Sequence, residues 1–289
     1  MEERIAYQLN AMTRRQVAAL SVGALASLPS IALAQHASPE PEHGDARHRE
    51  AMRRLPVLKF GLVMFPQMTA LDLVAPELLM ATMMATEVHL LASTMEPVKC
   101  DSNVSILPTG TYLTCPEDLD VLFVPGGPRG TAAALQDENL LNFIADRGRT
   151  ARYVTSVCTG SVILGAAGLL RGYRASSYWG TRDMLSMFGA SPVDDRVVID
   201  RNRVTGGGLT AGLDFGLALS AILRGEETAR LQELILEYDP DPPFKGGTVA
   251  TARADTVTLA RTVLARDIEA IRTAATNARS RRTSSFRAE

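Results

Sequence analysis

The residue best placed for covalent chemistry is Cys158, which ends the apolar, β-branched run of residues 153–157. The small and polar residues Thr159, Gly160 and Ser161 follow it, a composition typical of a tight turn into a helix and poor for a core. A cysteine at such a turn faces the first N–H groups of the next helix, whose positive dipole favours a thiolate. The sequence therefore predicts a nucleophilic cysteine on an exposed strand-to-helix bend.

Histidine does not supply an obvious base for this thiol. The chain has four histidines, and His36, His43 and His48 precede the region predicted to fold. The fourth, His89, lies in an apolar run typical of a strand, so we interpret it as a satisfied structural histidine. A cysteine–histidine dyad is therefore not expected.

Asp72 is the candidate acid–base group. It follows a strand-like run and a short loop and precedes an apolar helix, so a helix N-cap is an open alternative. Between Leu71 and Leu73, a partly desolvated carboxyl group near a thiolate would have a raised pKa and could carry protons in both directions. Glu77, further along the same predicted helix, is another candidate, although its neighbours equally suit a surface glutamate.

Glycine-rich turns supply a third element. Gly126 and Gly127 follow the apolar run 121–124, where backbone N–H groups could approach a reacting atom and form an anion hole. Tight-turn geometry alone would also explain the pair. The glycine-rich run 206–212 opens a helix and could approach the same crevice. Neither GxxxxGK[ST] nor GxGxxG is present, so no phosphate cradle is predicted.

Strand-like and helix-like segments alternate from residue 55 onward. Strands are predicted at 57–65, 88–92, 121–124 and 153–157, helices at 72–85, 137–148, 160–170 and 209–223, and hairpins at 98–107 and 197–205. Apolar strands separated by helices predict an α/β fold with a parallel sheet covered on both faces. Ligands bind beyond the carboxyl ends of such strands, where the segments carrying Asp72, Gly126 and Cys158 would meet.

The composition bounds the class of protein. The 289 residues are 46% apolar and carry a formal net charge of −2, which suits one large domain or two small ones. The charge gives no electrostatic footprint for nucleic acid, although residues 279–282 are locally basic. We interpret that basic end as solvated or frayed.

Residues 1–34 predict an export signal. Paired Arg14 and Arg15 precede an apolar stretch that closes with Ala32-Leu-Ala34, the layout of a cleaved twin-arginine signal, with Met12 as an alternative start. This predicts a periplasmic protein, with a cytoplasmic one as the alternative. The apolar stretch is too short for a stable membrane anchor, which needs roughly 20 residues. Residues 35–54 predict a disordered linker, and 249–289 a C-terminal helical extension and tail.

Cys100 and Cys115 are the two remaining cysteines. They could pair in an exported protein, but the sequence cannot place their Cα atoms close together. Two unpaired structural thiols are the default prediction.

The chain resembles the PfpI/ThiJ-like superfamily, which has a class I glutamine amidotransferase-like fold. The resemblance covers roughly residues 56–248 and implies a flavodoxin-like three-layer sandwich with a strand-turn-helix nucleophile elbow over a catalytic domain of residues 55–248. It rests on the runs FPQMTALDLVAP at 65–76, DVLFVPGG at 120–127, SVCTG at 156–160, GAAGLL at 165–170 and EYDPDPPF at 237–244.

Within that superfamily the chain is most similar to isonitrile hydratases, because it combines threonine (Thr159) rather than histidine after the cysteine, aspartate at position 72 and the Tyr-Asp-Pro-x-Pro-Pro-Phe ending at 238–244. The resemblance implies conversion of an isonitrile to an N-substituted formamide without metal or organic cofactor, by a homodimer acting on a small molecule. It makes Cys158 the nucleophile, Asp72 the acid–base group and Thr159 the neighbour that orients the thiol. Gly126, Gly127 and Tyr178 would bind substrate or form the anion hole.

The sequence departs from the relatives' pattern at one place in the pocket. Residues 176–179 read Ser-Ser-Tyr-Trp where relatives commonly carry Thr-Thr-His-Trp, so Tyr178 replaces a pocket histidine. Export is also unexpected for such a hydratase.

Two other functions stay open. Cys158 could oxidise reversibly in a redox or stress sensor without turnover. The fold also resembles the ligand-sensing half of AraC-type regulators, although the segment after Phe244 is short for the two helix-turn-helix units that follow there. A protease or glutaminase is disfavoured, because the missing histidine leaves no evident base.

Overall fold

The computed structural model of the chain describes residues 55–285. The predicted export signal and linker lie outside these residues and stay predictions. The strands are β1 (Leu58–Val63), β2 (Thr86–Ala92), β3 (Val98–Lys99), β4 (Ser105–Ile106), β5 (Gly110–Thr111), β6 (Val121–Val124), β7 (Tyr153–Ser156), β8 (Arg174–Ala175), β9 (Ser191–Pro192), β10 (Val197–Asp200) and β11 (Arg203–Gly206).

The helices are longer on average than the strands. They are α1 (Ala70–Ala81), α2 (Pro128–Ala134), α3 (Glu138–Thr150), α4 (Gly160–Ala166), α5 (Ala211–Arg224), α6 (Glu226–Ile235) and α7 (Ala254–Ser285), with 3₁₀ turns at Tyr112–Thr114 and Arg182–Phe188.

A seven-stranded sheet in the order β10-β11-β7-β6-β1-β2-β5 forms the centre of the described region. Its pairs are parallel except the β10–β11 hairpin, and β3 and β4 form the second predicted hairpin. All four residues of β6 are buried, as expected of a strand covered by helices on both faces. The predicted flavodoxin-like α/β fold with a mainly parallel sheet is confirmed.

The sheet order brings the three candidate segments to one edge. Strands β7, β6 and β1 are neighbours, and Val124 at the end of β6 pairs with Ser156 at the end of β7. The segments that follow these strands carry Cys158, Gly126 and Asp72. Parallel neighbours end on the same side of a sheet, so these segments meet there.

The last helix, α7, corrects the interpretation of residues 279–282 as a solvated or frayed end. The helix packs against α2, α4 and the 3₁₀ turn at Arg182–Phe188. Its buried residues are Ile271, Ala274, Ala275 and Ala278. Arg281 donates a hydrogen bond of 2.9 Å to the carbonyl of Leu135. The small buried residues let the helix approach the domain closely, a pattern that lacks the broad apolar stripe of most surface helices. Among residues 55–285, no helix is both long and apolar enough to cross a bilayer.

We expect Ile271→Ala to destabilise the protein by about 2–4 kcal/mol, because a fully buried aliphatic side chain would leave a cavity between α7 and the domain. Leu259→Ala on the same helix is the matched control, since Leu259 is 64% exposed and its loss should change little. Urea unfolding of both variants checks this. Equal, small effects would mean that α7 contributes nothing to the core.

Candidate active site

Cys158 lies in a strained turn between β7 and α4, the geometry of a nucleophile elbow. Its φ of +56° is left-handed, which costs a residue with a Cβ roughly 1–2 kcal/mol. Three hydrogen bonds hold it: its N–H donates to the Gly207 carbonyl at 2.5 Å, and its carbonyl accepts from Ser177 Oγ at 2.9 Å and Tyr178 N at 3.2 Å. The glycine-rich run 206–212 and the segment around Tyr178 therefore both reach the elbow.

Two glycines allow the segments to press together around the elbow. A Cβ on Gly126 would lie 2.7 Å from the Cβ of Cys158, and one on Gly160 would lie 2.6 Å from the carbonyl oxygen of Pro125. Real Cβ atoms do not approach so closely, so the β6 turn and the start of α4 require glycine at both positions.

The burial of Cys158 corrects the predicted exposed thiolate. The residue is only 2% exposed. Burial, and next the charge of Asp72, raise the pKa of the Cys158 thiol well above its ordinary value. Hydrogen bonds from the N–H and hydroxyl of Thr159 lower this pKa in part but do not reverse the rise. The following helix, α4, has only seven residues, so its dipole stabilises the thiolate little. The resting group is therefore a neutral thiol.

Asp72 is the third residue of α1 and is fully buried. The N-cap position belongs to Thr69, so the capping alternative is wrong. Burial raises the pKa of Asp72 to about 7; the Cys158 thiol lowers it in part, the charge of Asp101 raises it further, and the Gly126 N–H lowers it slightly. Among the described residues, neither carboxylate oxygen has a partner with full hydrogen-bond geometry. Such a group can gain or lose a proton near neutral pH.

Thr159 belongs to a buried ring of hydrogen bonds behind the thiol. The Gly127 N–H donates to Thr159 Oγ1 at 2.9 Å, Thr159 and Thr131 share a bond of 2.6 Å between hydroxyls, and Thr131 Oγ1 donates to the Gly127 carbonyl at 2.8 Å. The ring fixes Thr159 beside Cys158. It also engages the Gly127 N–H, which is therefore not available as the predicted anion-hole donor in this conformation.

Thr131 and Asp101 are site residues that the sequence did not reveal. Thr131 stands four residues after Gly127, one turn into α2, and this helical spacing was the only available signal. Asp101 lies after β3, where its carboxylate accepts from Thr69 Oγ1 at 2.5 Å and its N–H donates to the Met68 carbonyl at 3.0 Å. These bonds tie the hairpin to the loop that leads into the helix of Asp72.

Tyr178 reaches the site, whereas His89 and Glu77 do not share it. Burial, and next the charge of Cys158, raise the pKa of the Tyr178 hydroxyl. His89 lies in β2, three strand spacings or about 14 Å from β7, and its buried Nε2 lacks a hydrogen-bond partner among the described residues. It is thus neither a dyad partner nor the satisfied histidine that we expected. Glu77 follows Asp72 by five residues, which turns it about 140° away around α1.

The other two cysteines do not pair. Cys100 and Cys115 are both free thiols, as predicted by default. Within residues 55–285, no cluster of three or more His, Cys, Asp or Glu side chains could hold a metal ion.

The raised pKa of Asp72 predicts a pH-dependent cost of folding. A carboxyl group with a folded pKa of about 7 against an ordinary 3.8 destabilises the folded state as pH rises between those values. Between about pH 5 and about pH 8, we expect the free energy of unfolding of wild type to fall by about 2–3 kcal/mol relative to that of Asp72→Asn. Urea unfolding of both proteins at the two pH values measures this. A difference that does not change with pH would contradict the raised pKa.

The fold and site together define a class: flavodoxin-like α/β proteins with a cysteine at a strand–helix elbow and a buried carboxyl group beside it. The DJ-1/PfpI family profile matches residues 59–222, and the chain belongs to this family. The predicted PfpI/ThiJ resemblance is confirmed.

Three known proteins show which members of the family this chain is similar to. The chain is 48% identical to isonitrile hydratase from Pseudomonas putida over 204 residues, which cover 71% of this chain and 89% of that one. The crystal structure of a ThiJ/PfpI family protein from Pseudomonas syringae is 45% identical with a TM-score of 0.75, covering 83% of this chain and 98% of that one. Deglycase PH1704 from Pyrococcus horikoshii is 36% identical over 90 residues, 31% of this chain and 54% of that one.

Proposed function

We propose that this protein is an enzyme that hydrates isonitriles to N-substituted formamides, with Cys158 as nucleophile and Asp72 as acid–base group. The observation that carries the proposal is the buried thiol beside a carboxyl group whose pKa is about 7, without an imidazole near the sulfur among the described residues. The similarity to isonitrile hydratase over most of the chain supports the same chemistry.

The first half of the reaction uses the proton that Cys158 holds at rest. An isonitrile carbon bears a lone pair and becomes electrophilic once it is protonated. The Asp72 carboxylate takes the thiol proton and passes it to this carbon, while the sulfur forms a bond to the same carbon. The product is a thioimidate, Cys–S–CH=N–R, and Asp72 is again a carboxylate.

The second half releases the sulfur. Water adds to the thioimidate carbon, and Asp72 takes one proton from that water and delivers it to the nitrogen. The tetrahedral intermediate, Cys–S–CH(OH)–NH–R, then loses its C–S bond while its hydroxyl proton passes through Asp72 to the sulfur, and R–NH–CHO leaves. One water is consumed for each isonitrile, and a carboxyl group titrating near neutral pH suits both directions of proton transfer.

Thr159 positions the thiol in this scheme, and Tyr178 lies close enough for the charge of Cys158 to raise the pKa of its hydroxyl. The ring of Thr159, Thr131 and Gly127 fixes the turn that carries the sulfur. Since Cys158 is 2% exposed, nearby side chains must move before a substrate reaches it.

The alternative redox sensor receives less support from the site. Sensor cysteines are exposed and have a low pKa, because the thiolate is the species that oxidises. Cys158 has the opposite properties, with burial and a raised pKa.

Incubation with cyclohexyl isonitrile tests the proposal. We expect the full-length protein to form N-cyclohexylformamide, detected by liquid chromatography with mass spectrometry, without added metal or cofactor. Absence of formamide at an enzyme concentration high enough to detect a few turnovers would contradict it.

The pH profile of this activity tests the role of Asp72 and its neighbour. The base form of Asp72 must be present, so kcat/KM should rise with pH through a midpoint near 7. Asp101→Asn keeps an oxygen that can accept from Thr69 but removes a charge that raises the pKa of Asp72, so the midpoint should move to lower pH. An unchanged midpoint would show that Asp101 does not act on this carboxyl group.

Localisation and assembly belong to the same proposal. We infer export to the periplasm from residues 1–34, tested by fractionating cells that express the full chain and its Arg14→Lys, Arg15→Lys variant. Retention of the double variant in the cytoplasm is expected. The homodimer implied by the resemblance is tested by sedimentation of the purified protein.

A further inference from the structure

A small cavity lies beside the segment around Tyr178, which hydrogen-bonds to the carbonyl of Cys158. Its volume is about 290 Å³, and it is lined by Trp179, Gly180, Arg261, Ala265 and Ile268. The last three residues are spaced by four and three along α7, so they share one face of that helix. The cavity therefore has one wall from the loop after Tyr178 and one from the C-terminal helix.

The cavity adjoins the candidate active site through Tyr178. A Cβ on Gly180 would lie 2.6 Å from Ile268 Cδ1 and 3.3 Å from Tyr178 Cε1, so the ring of Tyr178 borders the cavity at Gly180. The backbone N–H of Tyr178 donates to the carbonyl of Cys158 at 3.2 Å. Tyr178 therefore touches both, with its backbone at the Cys158 elbow and its ring at the cavity.

The lining is mainly apolar and carries one positive charge. Trp179, Ala265 and Ile268 supply the apolar surface, and Arg261 is exposed. Within the described part of the chain, Arg261 has no hydrogen bond or ion pair. The residues one turn away on α7, at 257, 258, 264 and 265, are Val, Thr, Leu and Ala. No acidic residue on the same helix face therefore competes for this guanidinium group.

We propose that this cavity binds the N-substituent of the substrate, and that the enzyme prefers small isonitriles whose substituent ends in a carboxylate. This inference rests on the proposed hydratase function. A guanidinium group binds a carboxylate through paired N–H donors, and the apolar walls suit a short hydrocarbon linker. The volume is at the lower end for small-molecule sites, which favours a substituent of a few heavy atoms.

Steady-state kinetics with 2-isocyanoacetate and its methyl ester test this inference. The full-length wild type, Arg261→Gln and the matched control Arg266→Gln are compared; Arg266 is exposed on α7 and does not line the cavity. We expect a lower KM for the acid than for the ester in wild type. Arg261→Gln should raise the KM ratio of acid to ester about ten- to a hundredfold, as loss of one charge-assisted contact predicts, and the control should leave it unchanged.

A second variant separates the cavity from its charge. Ala265→Leu fills the space without removing Arg261, so it should raise KM for both compounds, while circular dichroism confirms that the fold is retained. An acid-to-ester ratio that Arg261→Gln does not change, or that the control changes equally, overturns the inference and leaves the hydratase function standing. Failure of wild type to hydrate either isocyanoacetate compound, with cyclohexyl isonitrile still hydrated, overturns the inference alone, whereas failure with all three compounds overturns the proposed function as well.

Discussion

Replacing Cys158 with alanine abolishes isonitrile hydration, with a fall in kcat of at least about 10³-fold, because no thioimidate can form. Cys115→Ala is the matched control. Cys115 is a free, half-buried thiol whose pKa is raised to about 11 by burial, and it lies outside the proposed mechanism. Formamide production from cyclohexyl isonitrile, with circular dichroism to confirm folding, measures both variants.

Two results would contradict the role of Cys158. Turnover by the alanine variant at the wild-type rate would remove the covalent mechanism. Loss of turnover in Cys115→Ala alone would move the nucleophile to a different part of the fold, near β5 and α3.

Asp72→Asn lowers kcat by about 10²–10⁴-fold, the range typical of a lost general acid–base group. The amide retains the shape of the carboxyl group but cannot accept the thiol proton. Since the charge of Asp72 raises the pKa of Cys158, the variant's thiol should also be alkylated by iodoacetamide at least as fast as that of wild type. Rapid-quench product analysis and alkylation rates give the two readouts.

Glu77→Gln is the control for this variant. Glu77 lies on the same helix and burial raises its pKa, but it faces a different direction from Asp72. It should retain most of the activity. A loss of activity in Glu77→Gln as large as that in Asp72→Asn would contradict the assignment of the acid–base role to Asp72.

The two expected effects of Asp72→Asn point in opposite directions. Raising the pH should lower the free energy of unfolding of wild type more than that of the variant, because a charged carboxylate is costly to bury. The variant should also be nearly inactive. A residue whose removal stabilises the fold and abolishes activity is typical of a functional site.

The sequence predicted the convergence of the site but not its burial. Consecutive apolar runs separated by helices place β1, β6 and β7 side by side, so Asp72, Gly126 and Cys158 had to meet at one edge. Burial of Cys158 depends on Gly207 and on the segment around Tyr178, which lie 20 or more residues downstream. The residues next to Cys158 in the sequence do not indicate those distant contacts. They therefore favoured an exposed thiolate, and the structure has a buried thiol.

The side-chain hydrogen bonds of the site could not be predicted from the sequence either. Asp101 joins the site only because the β3–β4 hairpin folds against the loop before α1, a contact between residues about 30 positions apart. The packing of α7 was missed for a different reason. Its buried residues are mainly alanines, whose small side chains give a weak hydrophobic pattern beside many arginines.

In the proposed reaction the Cys158 sulfur bonds to the isonitrile carbon while Asp72 moves the proton. Rapid-quench mass spectrometry of the full-length protein with cyclohexyl isonitrile, followed by peptide mapping, detects this bond. The predicted result is an adduct of one isonitrile on the peptide containing Cys158, which rises and then decays as the formamide accumulates. Formamide that accumulates without any adduct on that peptide, at times shorter than one turnover, would contradict the account.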